Sequence, residues 1–303
     1  MNIVIKVNDE IKEKMIEYYK DKKRDKVIPY VVFQAQEEDT VITMYESGKV
    51  MFQGTSADVD AAMWGVALEN TEEKKEENKK KNEKYYYCNA VGSDEVGTGD
   101  YFGPIVVTAC YVSKEDIPFL EKLGVGDSKK IDDERIKKMA PEIAKRVKYR
   151  SVILNNKEYN EKYTKEINMN KIKAILHNKV LYQLITEENL TYDYVIIDEF
   201  AREARYYEYL SEQKNIQKGI TFITKAEDIS PAVGCGSIIS RYIFLKEFDK
   251  ICDEIHMPLP KGAGKEVDTA GEEVVEKYGE EKLKEIAKTN FKNTERILHT
   301  MIY

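Results

Sequence analysis

Four acidic residues stand at or just beyond short apolar segments, in the pattern of ligands for hard divalent cations. Asp94 and Glu95 are adjacent, Asp198 follows a β-branched run, and Glu227 follows the segment GITFIT. Carboxylates at the ends of strands in an α/β sheet face the usual ligand crevice. Clustered carboxylate oxygens suit Mg²⁺ or Mn²⁺ better than zinc. Together the four acids predict a site for phosphoryl transfer assisted by two metal ions.

Each acid has a simpler interpretation when it is taken alone. Asp94 and Glu95 could belong to a polar turn, because glycines follow at positions 97 and 99. Adjacent strand side chains point to opposite faces, so both acids can share a site only if the strand ends or bends there. Asp198 could be the N-cap of a helix that begins near Glu199. Glu227 could form a loop salt bridge with Lys225.

No histidine or cysteine grouping competes with the carboxylates. His177, His256 and His299 are isolated on helical or loop segments, and we interpret all three as packing or surface residues. The four cysteines lie far apart without a CxxC pair, which argues against a disulfide framework or a zinc site and fits a reducing cytoplasm.

The bulk composition is that of a folded protein with a heavily charged surface. The chain has 303 residues, of which 42% are apolar and 34% are charged. It has no apolar run long enough to span a membrane and no signal-peptide pattern, so we expect a cytoplasmic protein without membrane association. The net charge of −7 counts only mildly against nucleic-acid binding, because such binding needs only local basic patches.

A charged segment divides the chain. Five Glu and six Lys occupy the 14 residues from 71 to 84, which cannot bury a face. We expect an N-terminal domain at 1–70, a linker at 71–85 and a larger domain at 86–303. The first domain has the pattern of a small α+β unit, with strands Asn2–Val7, Tyr30–Gln36, Thr40–Glu46 and Lys49–Gln53 and helices Asp9–Tyr19 and Ala57–Leu68.

Strands alternate with helices in the larger domain, which predicts an α/β layered architecture. The predicted strands are Tyr87–Gly92, Tyr101–Val112, Tyr192–Ile197 and Gly219–Thr224. The predicted helices are Asp132–Ala144, Met169–Glu187, Ser237–Asp249 and Glu272–His299.

Residues 86–300 resemble the type 2 ribonucleases H, whose motifs occur here in the same order. The matching segments are Gly92–Pro104, Gly126–Lys130, Ile197–Asp198, Lys225–Glu227 and Gly236–Arg241. The resemblance implies a ribonuclease H-like catalytic domain, with a central mixed sheet flanked by helices. It also implies that Asp94, Glu95, Asp198 and Glu227 are the catalytic, metal-binding residues.

Three features are similar to the ribonuclease HIII branch of that family. The turn is Gly97-Thr98-Gly99 instead of Gly-Arg-Gly, the last acid is Glu227 instead of aspartate, and residues 259–264 lack the tyrosine found in ribonuclease HII. The N-terminal unit is similar to the small, TATA-binding-protein-like substrate-binding domain of that branch. One departure is Gly234-Cys235-Gly236, where relatives tend to have alanines; we expect it to loosen the start of the following helix.

The resemblance further implies cleavage of the RNA strand of RNA–DNA hybrids with Mg²⁺ or Mn²⁺, two ions being expected, and products with 5′-phosphate and 3′-hydroxyl ends. The backbone of Gly97-Thr98-Gly99 would meet the RNA 2′-hydroxyl, by which RNA is distinguished from DNA. The residues expected to contact the substrate phosphates are Ser128, Lys129, Lys130, Asn170 and Lys171. Nothing in the sequence indicates an obligate oligomer, so we expect a monomer.

Other interpretations stay open at this stage. Lys173, Lys261 and Lys265 are either further phosphate contacts or solvated surface charges. Aromatic residues on the N-terminal strands, such as Tyr30 and Phe33, are either a stacking platform or core. The chain could also act as a ribonuclease HII, excising single ribonucleotides from DNA. It could be a hybrid-binding protein without catalysis, or a metal phosphatase acting on small molecules.

Overall fold

The computed structural model describes residues 2–24, 30–37, 39–54, 57–64, 83–126, 131–164 and 166–300. The chain forms two compact units, Met1–Lys81 and Asn82–Tyr303. The charged segment expected at 71–85 lies mostly outside the described residues. Among the described residues, no helix is both long and apolar enough to cross a bilayer.

The first unit is a four-stranded antiparallel sheet with helices, which agrees with the expected small α+β domain. Its strands pair in the order β1-β4-β3-β2. Phe33 and Phe52 are buried in the core of this unit, whereas Tyr30 is 77% exposed. The elements are β1 (Asn2–Lys6), α1 (Asp9–Tyr18), β2 (Val31–Glu37), β3 (Thr40–Tyr45), β4 (Lys49–Gly54) and α2 (Ala57–Ala62).

The second unit contains a five-stranded mixed sheet, as expected for a ribonuclease H-like fold. Its order is β7-β6-β5-β8-β9, with β5 in the centre, antiparallel to β6 and parallel to β8. The strands are β5 (Ala90–Val96), β6 (Ile105–Val112), β7 (Lys148–Leu154), β8 (Tyr194–Asp198) and β9 (Ile220–Ile223).

Helices cover both faces of this sheet. They are α3 (Ile117–Leu123), α4 (Asp133–Arg146), α5 (Asn156–Lys162), α6 (Met169–Glu188), α7 (Glu203–Tyr209), α8 (Pro231–Glu254), α9 (Lys265–Tyr278), α10 (Glu280–Ile286) and α11 (Lys292–Thr300). Helix α8 packs against β5 and β6 on one face, and α6 packs against β5, β6 and β7 on the other. A separate apolar core lies on each side.

The glycines of α8 and β5 allow a close helix–sheet approach. A Cβ atom on Gly92 would lie 2.6 Å from the backbone nitrogen of Val233, and one on Gly236 would lie 2.7 Å from the carbonyl oxygen of Thr108. Gly234-Cys235-Gly236 therefore lies within the buried first turns of α8, not before the helix. These three residues were expected to precede the helix and to loosen its start. That expectation was wrong, because the helix begins at Pro231 and all three residues are buried.

Several element boundaries differ from the sequence predictions. Strand β5 runs through Asp94 and Glu95 to Val96, because its pairing with β6 continues to Val106. Strand β7 was not predicted, since its side chains are only partly buried at the sheet edge. The predicted C-terminal helix is three helices: α9 stops at Gly279, whose φ of +83° favours glycine, and residues 287–291 separate α10 from α11.

Candidate active site

The ends of three neighbouring parallel strands bring Asp94, Asp198 and Glu227 to one edge of the sheet. Strand β5 pairs with β8 in a register that aligns Ser93 with Ile197, so the next residues, Asp94 and Asp198, lie side by side. Neighbouring strands are about 4.8 Å apart. Two acids that are about 100 positions apart in the chain are thus adjacent in the fold.

The turn after β9 connects Glu227 with Asp198. The amide of Ala226 donates a hydrogen bond of 3.2 Å to Oδ1 of Asp198. Lys225 reverses the chain with a φ of +57°. The next helix after Asp198 begins at Glu203, with Arg202 as its N-cap residue, so the interpretation of Asp198 as a helix N-cap was wrong. Its carboxylate instead caps the turn that carries Glu227.

Burial and the proximity of other acids raise the pKa values of two of these carboxylates. Burial and the charge of Glu95 raise the pKa of Asp94, and Glu227 adds to this effect, while a hydrogen bond from Ser237 opposes it. Burial, together with the charges of Asp228 and Asp198, raises the pKa of Glu227. Charge repulsion among acids is what a bound divalent cation relieves.

Glu95 faces the opposite side of the sheet from Asp94. The side chains alternate along β5: Asp94 points to α8, while Ser93 and Glu95 point to α6. The pairing of β5 with β8 ends at Ser93, so both acids lie just beyond the end of that pairing. Burial acts to raise the pKa of Glu95, but hydrogen bonds and charge from His177 and Lys173 of α6 dominate and lower it. Glu95 is therefore held as a carboxylate.

His177 is the residue at this site that the sequence interpretation missed. It is fully buried, which agrees with a packing role, but both ring nitrogens are bonded. Its Nε2 lies 2.8 Å from Oε2 of Glu95, and its Nδ1 lies 2.8 Å from Oγ of Ser93. No local pattern marks His177, because Glu95 is 82 residues away in the sequence. The period of α6 could have located it, since Lys173 stands one turn earlier on the same face.

The Gly97-Thr98-Gly99 turn directly follows β5. Gly97 has a φ of +96°, and a Cβ atom there would lie 2.1 Å from the carbonyl oxygen of Pro104. Gly99 is exposed, and a Cβ atom on it would meet no atom within 4 Å. The first glycine is thus required by the protein's own packing, whereas the second leaves open space beside the backbone.

The other described residues considered as substrate contacts lie in the first turn of α6 and around the start of α9. Asn170 is exposed and Lys171 is partly buried in the first turn of α6, where Lys171 lies 3.4 Å from Glu212. Lys261 and Arg241 both pair with Asp133, and Lys265 is exposed at the start of α9. Ser128, Lys129 and Lys130 lie outside the described residues.

The donor chemistry of the site fits a divalent cation. Asp94, Asp198 and Glu227 offer carboxylate oxygens at one sheet edge, and burial together with the charges of neighbouring acids raises the pKa values of Asp94 and Glu227. As the side chains stand, no three His, Cys, Asp or Glu residues in the described part of the chain converge into a set that could hold a metal ion. Glu95 in particular is paired with Lys173.

Comparisons with known proteins agree with the fold. Residues 91–294 match the family model described as Ribonuclease HII, and residues 2–78 match a model described as a domain of unknown function, DUF3378. The fold and this family match thus define a type 2 ribonuclease H.

Full-length relatives specify the branch. The chain is 41% identical to the ribonuclease HIII of Bacillus thuringiensis subsp. konkukian over 97% of each chain, and 40% identical to that of Bacillus cereus over 99% of each. The solved structure of Bst-RNase HIII in complex with Mn²⁺ is 35% identical, covers 99% of both chains and superposes with a TM-score of 0.70. The chain belongs to the ribonuclease HIII family, and with it to the endoribonucleases of the type 2 ribonuclease H class.

Proposed function

We propose that this protein hydrolyses the RNA strand of RNA–DNA hybrids, with Asp94, Glu95, Asp198 and Glu227 as its catalytic, metal-binding residues. The observation that carries the proposal is the register of β5 and β8, which sets Asp94 beside Asp198 at the sheet edge. The hydrogen bond from Ala226 to Asp198 holds the Glu227 turn against the same edge. Membership of the ribonuclease HIII family supports the substrate class.

The proposed metal is Mg²⁺ or Mn²⁺, because the donors are carboxylate oxygens and a relative binds Mn²⁺. Two such ions would supply an activated water and charge stabilisation of the leaving 3′-oxygen, leaving 5′-phosphate and 3′-hydroxyl ends. Asp94 and Asp198, which the strand register places side by side, are the best candidates for ligands that the two ions would share. Glu227 and Glu95 are proposed to complete the set, Glu95 from the α6 side of β5 just beyond the end of its pairing with β8.

The protein's contribution to strand choice lies in the turn after β5. Gly97 fixes the turn against Pro104, and the exposed backbone at Gly99 can approach a ribose closely because no side chain stands there. A backbone amide or carbonyl at this point can bond a 2′-hydroxyl, which DNA lacks. Asn170 and Lys171, together with Ser128, Lys129 and Lys130, are proposed to bind phosphates. We assign substrate binding to the N-terminal unit and expect a monomer.

Two measurements test the proposed function. A continuous RNA–DNA hybrid and a DNA duplex that contains a single ribonucleotide are incubated with enzyme and Mg²⁺, and we expect the hybrid to be cut far faster. Comparable rates would instead support ribonuclease HII-type specificity. Asp94→Asn should abolish cleavage and retain hybrid binding in a gel-shift assay. Normal cleavage by this variant would show that the carboxylate site is misassigned.

A further inference from the structure

The carboxylate of Glu95 is held by helix α6 and not by its own strand. One oxygen, Oε2, is bonded to Nε2 of His177 at 2.8 Å, and the other, Oε1, is paired with Lys173. All three side chains are largely buried: 11% of the Glu95 side chain is exposed, 12% of Lys173 and none of His177. A buried carboxylate with both oxygens bonded has one preferred orientation.

The hydrogen-bond partners of His177 determine which ring nitrogen donates to Glu95. A carboxylate can only accept, so Nε2 of His177 carries the proton and donates it to Glu95. The hydroxyl of Ser93, which is fully buried, is 2.8 Å from Nδ1. It donates to Nδ1 when the ring is neutral and accepts from Nδ1 when the ring is protonated. Ser93 and Glu95 are two residues apart on β5, so the ring spans successive positions on one face of the strand.

The aromatic ring of Phe200 connects these anchors to the neighbouring strand end. The ring centroids of His177 and Phe200 are 5.4 Å apart, and the Lys173 ammonium lies 4.1 Å from the Phe200 centroid. The amide of Phe200 donates to the carbonyl oxygen of Asp198 at 2.9 Å. The side chains that orient Glu95 therefore pack against the ring of Phe200, whose backbone is hydrogen-bonded to that of Asp198.

We propose that His177 is a positioning residue that fixes the Glu95 carboxylate for metal binding, and that Lys173 is a resident cation that competes with the metal for Oε1 of Glu95. This inference rests on the proposed function of Glu95 as a ligand. Loss of His177 frees the carboxylate to rotate, which weakens metal binding. Loss of Lys173 removes a positive charge beside the metal-binding edge, which strengthens it.

The opposite signs of these effects make the proposal testable without an activity assay. The concentration of free Mn²⁺ is followed by electron paramagnetic resonance as the full-length protein is titrated in the absence of substrate. We expect His177→Phe, which keeps an aromatic ring against Phe200, to weaken Mn²⁺ binding on the order of tenfold. Lys173→Met should tighten binding about threefold or more. His177→Gln, whose amide can still donate to Glu95, should recover part of the loss.

Controls separate positioning from damage to the fold. His299→Phe changes a histidine whose side chain is 68% exposed on α11, and its Mn²⁺ affinity should equal that of the wild type. Circular dichroism melts confirm that each variant is folded. If His177→Phe does not fold, Ser93→Ala decides the question, because it removes only the hydrogen bond at Nδ1. We expect Ser93→Ala to weaken binding by less than His177→Phe does.

Hybrid cleavage supplies a second readout. In His177→Phe the Mg²⁺ concentration for half-maximal rate should rise, while the KM for the hybrid stays unchanged. Folded variants of His177 and Ser93 with wild-type Mn²⁺ affinity would overturn the positioning role. Weaker or unchanged binding in Lys173→Met would overturn the competition. A wild-type protein that neither binds Mn²⁺ nor cuts hybrids would be a failure of the proposed function itself.

Discussion

The backbone amide of Ala226 donates to Oδ1 of Asp198 over 3.2 Å, which makes the end of β8 and the turn after β9 one structural unit. Glu227 follows Ala226 directly, so its backbone position depends on the Asp198 side chain. An acid that was predicted to bind metal also organises the loop that carries another such acid. Substitutions at Asp198 must therefore preserve its hydrogen-bonding oxygen.

Asp198→Asn should separate these two roles. The amide oxygen of asparagine can still accept from Ala226, so we expect the fold and the melting temperature to be retained. Loss of the negative charge should lower the rate of hybrid cleavage on the order of a thousandfold or more. Asp193→Asn, near the opposite end of the same strand, is the matched control and should cut normally, because Asp193 caps the amide of Asn89 far from the site edge. Equal rates in the two variants would contradict the site assignment.

The two glycines of the turn after β5 should respond differently to alanine. Gly97→Ala places a Cβ atom 2.1 Å from the Pro104 carbonyl oxygen at a φ of +96°, so we expect a loss of about 2–4 kcal/mol in the free energy of unfolding. Gly99→Ala meets open space and should leave stability unchanged but weaken hybrid binding, since the added methyl group occupies room for the substrate. Urea unfolding and fluorescence anisotropy measure the two quantities. A stable Gly97→Ala would show that the turn can relax.

Lys288 should make stability depend on pH. Its ammonium is fully buried and donates to the carbonyl oxygens of Asp100 and Gly103 at 2.8 and 2.6 Å. Burial lowers the pKa of Lys288 from 10.5 to about 7, although the charge of Asp100 acts in the opposite direction. Between these two values the unfolded chain binds a proton that the folded protein does not bind. Stability therefore rises with pH across that window and is independent of this group below it.

The comparison with Lys288→Met isolates this effect. The difference in the free energy of unfolding between wild type and variant should shift in favour of the wild type as pH rises from 7 to 10, by up to about 1.4 kcal/mol per pH unit. Chemical denaturation at several pH values measures it. Lys162→Met, at an exposed position on α5, should show no such trend. A difference that is flat with pH would mean that Lys288 keeps an ordinary pKa, and one that falls with pH would mean that its pKa is raised.

Asp133 should restrain hybrid binding. It pairs with both Arg241 and Lys261, two partly exposed cations. In Asp133→Asn these cations lose their partner, so we expect tighter binding of a hybrid at low salt and a steeper dependence of the affinity on salt, by up to about one counterion. Asp249→Asn, on the exposed side of α8, is the control. An unchanged salt slope would place Arg241 and Lys261 away from the phosphates.

The amino-acid sequence alone determined the types of most elements, the four candidate acids and the family. Strand and helix periods are local, and the motifs around Asp94, Asp198 and Glu227 are short and specific. These features can be recognised without knowledge of any tertiary contact. Element ends were less accurate where the deciding interaction is distant, as at β5, whose pairing with β6 carries it through Asp94 and Glu95.

Only the tertiary structure decided which way Glu95 points and what holds it. The sequence required the strand to end or bend for both acids to share a site. In the structure the pairing of β5 with β8 ends at Ser93, while β5 continues along β6 to Val96, and His177 and Lys173 of α6 hold Glu95 on the face opposite Asp94. The same is true of Gly236, whose importance depends on the carbonyl oxygen of Thr108 across the helix–sheet interface. These contacts join residues about 80 to 130 positions apart, and they depend on the rotation of a helix about its axis, which no local pattern specifies.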